Sequence, residues 1–141
     1  MRLERIIYIS ESKIDSAEAE DVVAKLVVAS RPRNANLAVS GALLFTGTHF
    51  AQILEGPPSS IAVIMSALRT DPRHSNLFIA ARYPISIRIF SGWQMAYHGP
   101  SQYVARHVNR LLDKNSQSDQ KRVTDRLTQL VLEFLTPLQS A

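Results

Sequence analysis

Ala38-Val39-Ser40-Gly41-Ala42-Leu43-Leu44-Phe45, Thr46-Gly47-Thr48, His49-Phe50-Ala51-Gln52-Ile53-Leu54-Glu55 is the stretch that decides the fold. Two apolar runs joined by three residues that include a glycine read as an antiparallel hairpin. Upstream, Arg5-Ile6-Ile7-Tyr8-Ile9-Ser10 is short, β-branched and aromatic, the pattern of a buried strand. Between the two lies a helix. Asp15 and Glu18 have the spacing of a capping box, and Ala19, Val22, Val23, Leu26 and Val27 make one apolar stripe. Pro32 is expected to end that helix, because the residue before a proline avoids the helical region. Downstream, Gly56-Pro57-Pro58 stops the hairpin. Ser59 or Ser60 can cap a second helix, with Ile61, Ile64, Met65 and Leu68 facing inward and Asp71-Pro72 at its end. Residues 76–85 and 87–97 read as two further strands, the second carrying Trp93 and Met95 on one face.

Strand, helix, hairpin, helix, strand, strand is the order of an α+β ferredoxin-like sandwich (βαββαββ), with two helices on one face of a five-stranded sheet. The character changes at Gly99-Pro100. Val104, His107, Val108 and Leu111 fit one amphipathic helix, and Val123, Leu127, Leu130, Val131, Phe134 and Leu135 another. The expected division is a domain over residues 1–98 and a C-terminal two-helix extension over 99–141. The extension is too short for a second domain, so its apolar stripe must pack on the sheet or on another chain.

Composition removes whole classes of function. The chain has 141 residues, and a domain of this size buries roughly 70% of its unfolded surface, enough for a core without covalent staples. Zero cysteines excludes thiol catalysis, zinc–thiolate sites, iron–sulfur clusters and disulfides. No apolar run approaches the ~20 residues that span a bilayer, and Met1-Arg2-Leu3-Glu4-Arg5 lacks a signal-peptide core. A cytoplasmic protein with no membrane association is expected. The net charge of +4 comes from scattered basic residues with no run of five, so it reads as a solvated surface before it reads as a nucleic-acid footprint.

Polar residues inside the apolar strands carry the functional signal. Gln52 lies between Phe50 and Leu54 on one face of a strand built for burial. A buried amide without partners costs roughly 1–3 kcal/mol, so Gln52 must have specific ones, in a functional pair or at a loop backbone. Tyr8 is mid-strand on the face opposite Ile7 and Ile9, and its hydroxyl also needs a partner. If the first and third strands are neighbours, Tyr8 and Gln52 can bond to each other. Otherwise Tyr8 is an ordinary core tyrosine. Asn34 after the first helix, and Asp71-Pro72-Arg73-His74 after the second, suit turns. They also stand at corresponding helix ends, where Asn34 and Arg73 could converge on a ligand between the helices. His49, His74, His98 and His107 lack metal-ligand spacing with carboxylates, and no phosphate loop, dinucleotide fingerprint or nucleophile elbow is present. No metal and no catalytic residue is expected.

These same residues resemble the BLUF family of flavin-binding blue-light sensor domains, in its short single-domain type. The likeness runs through Ile7-Tyr8, Ser30-Arg31 with Asn34, Ser40-Gly41-Ala42-Leu43-Leu44, Phe50-Ala51-Gln52-Ile53-Leu54-Glu55-Gly56, Asp71-Pro72-Arg73-His74, and Phe90 with Trp93-Gln94-Met95. The resemblance implies noncovalent FAD between the two helices, with FMN or riboflavin able to replace it in heterologous preparations. Asn34 and Arg73 would meet the flavin's pyrimidine edge, Phe50 would form an apolar wall, and Asp71 and His74 would line the same cavity; Arg33, beside Asn34 at a position where family members vary, is a further candidate for the cofactor site. It further implies electron and proton transfer from Tyr8 through Gln52, whose rearrangement alters flavin hydrogen bonding, with Trp93 and Met95 transmitting the change. A separate signalling partner is implied, of the kind of a cyclic-dinucleotide enzyme or a transcriptional or response regulator, and so is a homo-oligomer. The competing readings are a small hydrolase of the acylphosphatase type, which needs a phosphate-binding loop where Ser10-Glu11-Ser12-Lys13 has no glycine, and a basic nucleic-acid-binding module.

Overall fold

A computed structural model describes residues 2–15 and 17–91, the backbone of residues 96–98, and the isolated helical positions Asp125 and Gln129. Strand β1 spans Leu3–Ser12, β2 Ser40–Phe45, β3 His49–Gly56, β4 His74–Ile85 and β5 Ala96–His98. Helix α1 spans Ala19–Asn36 and α2 Pro58–Arg69. The sheet order is β4-β1-β3-β2-β5. The first four strands pair antiparallel throughout, and β5 adds to β2 in parallel. Each helix therefore links strands two places apart, β1 to β2 around β3 and β3 to β4 around β1. Right-handed crossovers put both helices on one face, which is the expected ferredoxin-like arrangement.

The hairpin forms as its sequence dictates, with Phe45 facing Phe50 and Gly47 at φ +96° in the three-residue loop. A side chain there would strain the backbone, so glycine is the residue that lets this loop close. Alternation along β1 splits the core. Ile6, Tyr8, Phe50 and Leu54 meet Val23 and Val27 of α1 and Ile61, Ile64 and Met65 of α2. Ile7, Ile9, Ala42, Leu44, Ala51 and Ile53 form a second cluster on the other face, with Phe90. Residues 5–10 of β1 are all buried, so this interior strand is covered on both sides and its middle, Ile6 to Ile9, is apolar apart from the Tyr8 hydroxyl.

Four expectations need correction. The Asp15–Glu18 spacing does not form a capping box. Asp15 Oδ1 takes the Ala17 N–H at 3.1 Å in a turn ahead of the helix, and Glu18 occupies the N-cap without a side-chain bond. Pro32 does not end α1, which continues to Asn36. The N–H that proline lacks would have bonded the carbonyl of Val28, and Val28 is 60% exposed, so water can serve that carbonyl instead. The true terminus is a six-residue reverse turn: Val39 N–H bonds Asn34 O and Ala38 N–H bonds Ala35 O, with Ala38 at φ +58°. Helix α2 is entered through Pro57 and Pro58 and not through a serine cap; proline's fixed φ suits the first helical position. Residues 87–97 are not one strand. Among the described residues, positions 86–91 are irregular and Ala96–His98 pair, at the sheet edge opposite β4. The expected C-terminal helices, with Trp93 and Met95, lie outside the described residues.

Candidate functional site

Because β1 and β3 are the central neighbours, Tyr8 stands directly opposite Gln52 in the register. Both face the helices. The Tyr8 hydroxyl donates to Gln52 Oε1, and both residues are nearly fully buried (3% and 6% exposed). Burial in apolar surroundings, then the negative charge of Asp71, push the Tyr8 hydroxyl well above the usual phenol range, with Arg33 opposing. Tyr8 is thus held as a neutral donor. On its other side β4 carries a bulge, since Ile7 faces Ala81 while Tyr8 faces Ile79, which leaves Ala80 extra.

A cleft opens over this pair between the helices. Its walls are Leu26 and Val27 of α1, Leu43, Phe50, and Leu68 of α2; Ser30, Arg33, Asp71, Arg73 and His74 supply polar groups around Tyr8 and Gln52. Phe50 stacks on Phe45 with ring centroids 4.9 Å apart, which fixes that wall. His74 is edge-on to both Tyr8 and Phe50 at 6.3 Å. Its Nε2 meets the Leu68 carbonyl, and its Nδ1 lies 2.7 Å from Ser10 Oγ. A carbonyl only accepts, so Nε2 carries the proton; in the neutral ring Nδ1 accepts from the serine hydroxyl. Asp71 and Arg73 form a two-pronged pair, Nε to Oδ1 at 2.9 Å and Nη2 to Oδ2 at 2.7 Å. The guanidinium donating to it holds the Asp71 carboxyl below its ordinary range.

Sequence reasoning places Tyr8, Gln52, Phe50, Arg33, Asp71, Arg73 and His74 at one site, and all of them line this cleft. Asn34 does not line it. It is fully buried in the last turn of α1, with its Oδ1 3.4 Å from Arg33 Nε and Nη2. Leu26, Val27 and Leu68 were read only as core positions. Val27 and Leu68 do pack in the helix-side core, whereas Leu26 is half-buried at the cleft; the stripe continues past the point where the opposing helix fills it, and a gap between stripes has no signature in either helix alone.

The donor set suits a flat heteroaromatic ligand with carbonyl acceptors. Apolar walls face each other across the cleft, guanidinium groups stand at its rim, and a buried carboxamide lies at its floor. The alternative phosphate cradle after the first strand does not exist. The N–H groups of Ser12, Lys13 and Ile14 are bonded to Thr48 O, Arg73 O and Ser12 Oγ. Among the described residues no group of three or more His, Asp or Glu could hold a metal, and no helix is long and apolar enough to cross a membrane.

Comparison with known proteins agrees with this chemistry. Residues 3–96 match the model of a family described as sensors of blue light using FAD. The dark-state structure of BlrB, a BLUF protein, is 28% identical, and the match covers 90% of this chain and 97% of that one with a TM-score of 0.71. The blue light- and temperature-regulated antirepressor of Escherichia coli is 39% identical over 75 residues, 53% of this chain and 18% of that protein. The photoactivated adenylate cyclase subunit beta of Euglena gracilis is 27% identical over 93 residues, 66% of this chain and 11% of the cyclase subunit. The chain thus spans less than a fifth of the curated relatives it matches. A family model that takes in most of the chain, over a cleft with a buried Tyr8–Gln52 pair at its floor, decides the matter: the chain belongs to the BLUF family of blue-light sensors, whose chromophore is a flavin.

Proposed function

We propose that this chain is a blue-light photoreceptor in which Tyr8 and Gln52 form the switch, and that its output is delivered by a separate protein. The observation that carries the proposal is the buried hydrogen bond from Tyr8 to Gln52 Oε1 at the floor of the cleft. When bound, flavin absorbs blue light and becomes an oxidant strong enough to take an electron from a phenol. Tyr8, held as a buried neutral donor, would supply that electron together with its hydroxyl proton and take both back. Gln52, which accepts from the Tyr8 hydroxyl at the floor of the cleft, would be left rotated, tautomerised, or both. A carboxamide has an acceptor at one end and donors at the other, and a phenol hydroxyl can donate or accept. Either orientation of Gln52 therefore satisfies Tyr8, and two satisfied arrangements are what a switch needs.

Arg33 and Arg73 at the rim supply charge for the polar edge and phosphates of FAD, with Asp71 orienting Arg73 and His74 bracing Phe50 and Tyr8. Asn34 reads the flavin edge when the Arg33 side chain withdraws from its amide. Residues 1–98 form the sensor. The extension from 99 onward carries output to a partner or to a second copy of the chain, and Trp93 and Met95 relay toward it. We assign no catalytic turnover to the sensor, and the net charge of +4 serves the anionic cofactor and not nucleic acid.

The test is spectroscopic. FAD-loaded protein should show a reversible red shift of the flavin band under blue light. Gln52→Leu should bind FAD and lose the shift entirely, and Tyr8→Phe should abolish the photoreaction. A normal photocycle in Gln52→Leu overturns the mechanism.

A further inference from the structure

Glu55 is fully buried, three residues beyond Gln52 on β3 and, by strand alternation, on the face away from the helices. Its carboxylate is used at both oxygens. Oε2 accepts from Arg5 Nε at 2.9 Å, from Arg5 Nη2 at 2.6 Å and from the Ile89 N–H at 3.0 Å, while Oε1 accepts from the Phe90 N–H at 2.8 Å. Ile89 and Phe90 belong to the irregular stretch that leaves β4 at one edge of the sheet and leads to β5 at the other. That route crosses β1, β3 and β2 on the helix-free face, where Phe90 is fully buried against Ile7, Ile9, Ala42 and Leu44. No ladder holds residues 86–91, so side chains must. Arg88 donates to Ser40 Oγ at 2.9 Å and to the Glu55 carbonyl at 3.0 Å, and it also reaches the Ala38 carbonyl. A buried carboxylate spanning two successive backbone N–H groups fixes the height and the register of the crossing segment.

We infer that Glu55 is a positioning residue for signal output: its carboxylate clamps the crossing segment to β3, so that rearrangement of Gln52 on the same strand moves the chain leading to β5. This rests on the Tyr8–Gln52 switch proposed above. The light-adapted arrangement is then supported by the shifted segment, and releasing the clamp withdraws that support.

Glu55→Gln keeps one acceptor but sets an NH2 against an N–H or against Arg5, so one of the two anchored amides is lost. FAD-loaded Glu55→Gln should retain the red shift, recover in the dark at least threefold faster, and lose more than half of the light-minus-dark infrared amplitude in the backbone amide region. A merely structural role would lower the melting temperature and leave the last two readouts, normalised to bound flavin, unchanged. Should Glu55→Gln fail to hold FAD, Arg88→Met releases the same segment outside the buried ion pair and should show the same two changes. Recovery within twofold of the parent with full amide amplitude, in whichever variant holds FAD, overturns the clamp. A parent protein without any red shift overturns the light-sensing reading and the clamp with it.

Discussion

Tyr8 shows how one residue's surroundings set its chemistry. Burial disfavours phenolate, and Asp71 near the cleft adds to the effect, so Tyr8 ionises above its ordinary value of 10.0. The neutral form is the one the fold favours. That share of stability is complete below about pH 10 and falls as pH rises beyond it. Chemical denaturation across this alkaline range should therefore show a loss that the Tyr8→Phe variant lacks; equal slopes in the two proteins would remove burial as the cause. Tyr8 and Gln52 were legible because a polar group within an apolar strand has to be answered, and strand order named the partner. Asn34 reads in the sequence as a turn residue or as one converging with Arg73 on a ligand, and the structure buries it in the last turn of α1. Nothing local shows that α1 runs through Pro32, because the tolerance comes from solvent at Val28, a property of where the helix lies in the molecule.

Elements of short range were the easiest to read. The β2–β3 hairpin needs only two apolar runs and a glycine loop, and its bounds fall within two residues of expectation. Its tightest point is Gly41. A Cβ there would come within 2.1 Å of the Ile53 carbonyl oxygen and 3.2 Å of Leu54 Cα, and both are backbone of the paired strand. Backbone cannot turn aside as a side chain can. Gly41→Ala should cost at least about 3 kcal/mol, the range of severe overpacking, with much of the protein insoluble. A urea midpoint close to the parent's would show that the strands separate more easily than this spacing allows. The last strand was misread for the complementary reason. Isoleucine, phenylalanine and tryptophan between 87 and 97 carry a strand's composition, but among the described residues of the crossing segment Phe90 plugs the core while Ile87 and Ile89 are exposed. Composition alone does not separate a paired strand from a segment pinned by side chains.

At the scale of the whole molecule, the sheet divides the labour. One face holds the cleft and the Tyr8–Gln52 pair, and the other holds an ion pair within an apolar cluster. Arg5 reaches Glu55 at 2.6 Å, bonds the Tyr83 hydroxyl at 2.9 Å and lies over the Tyr83 ring. Removing one partner of such a pair strands the other. Arg5→Met should cost about 3–5 kcal/mol, read from denaturant unfolding of the flavin-loaded protein, and a loss under about 1 kcal/mol would mean that water already reaches the pair. Replacing both charges by apolar residues would not recover the loss as it can elsewhere, since the N–H groups of Ile89 and Phe90 would lose their carboxylate acceptor. The sheet order has a kinetic consequence as well. Strand β1 leaves the ribosome first but lies in the middle of the sheet, so its apolar run waits unpaired until β3 and β4 have been made. Only the hairpin can close early. The Tyr8–Gln52 bond joins residues 44 apart, so it forms only once β1 has paired with β3. With the Tyr8–Gln52 contact as the proposed sensor, a response to light would certify that the two central strands had paired.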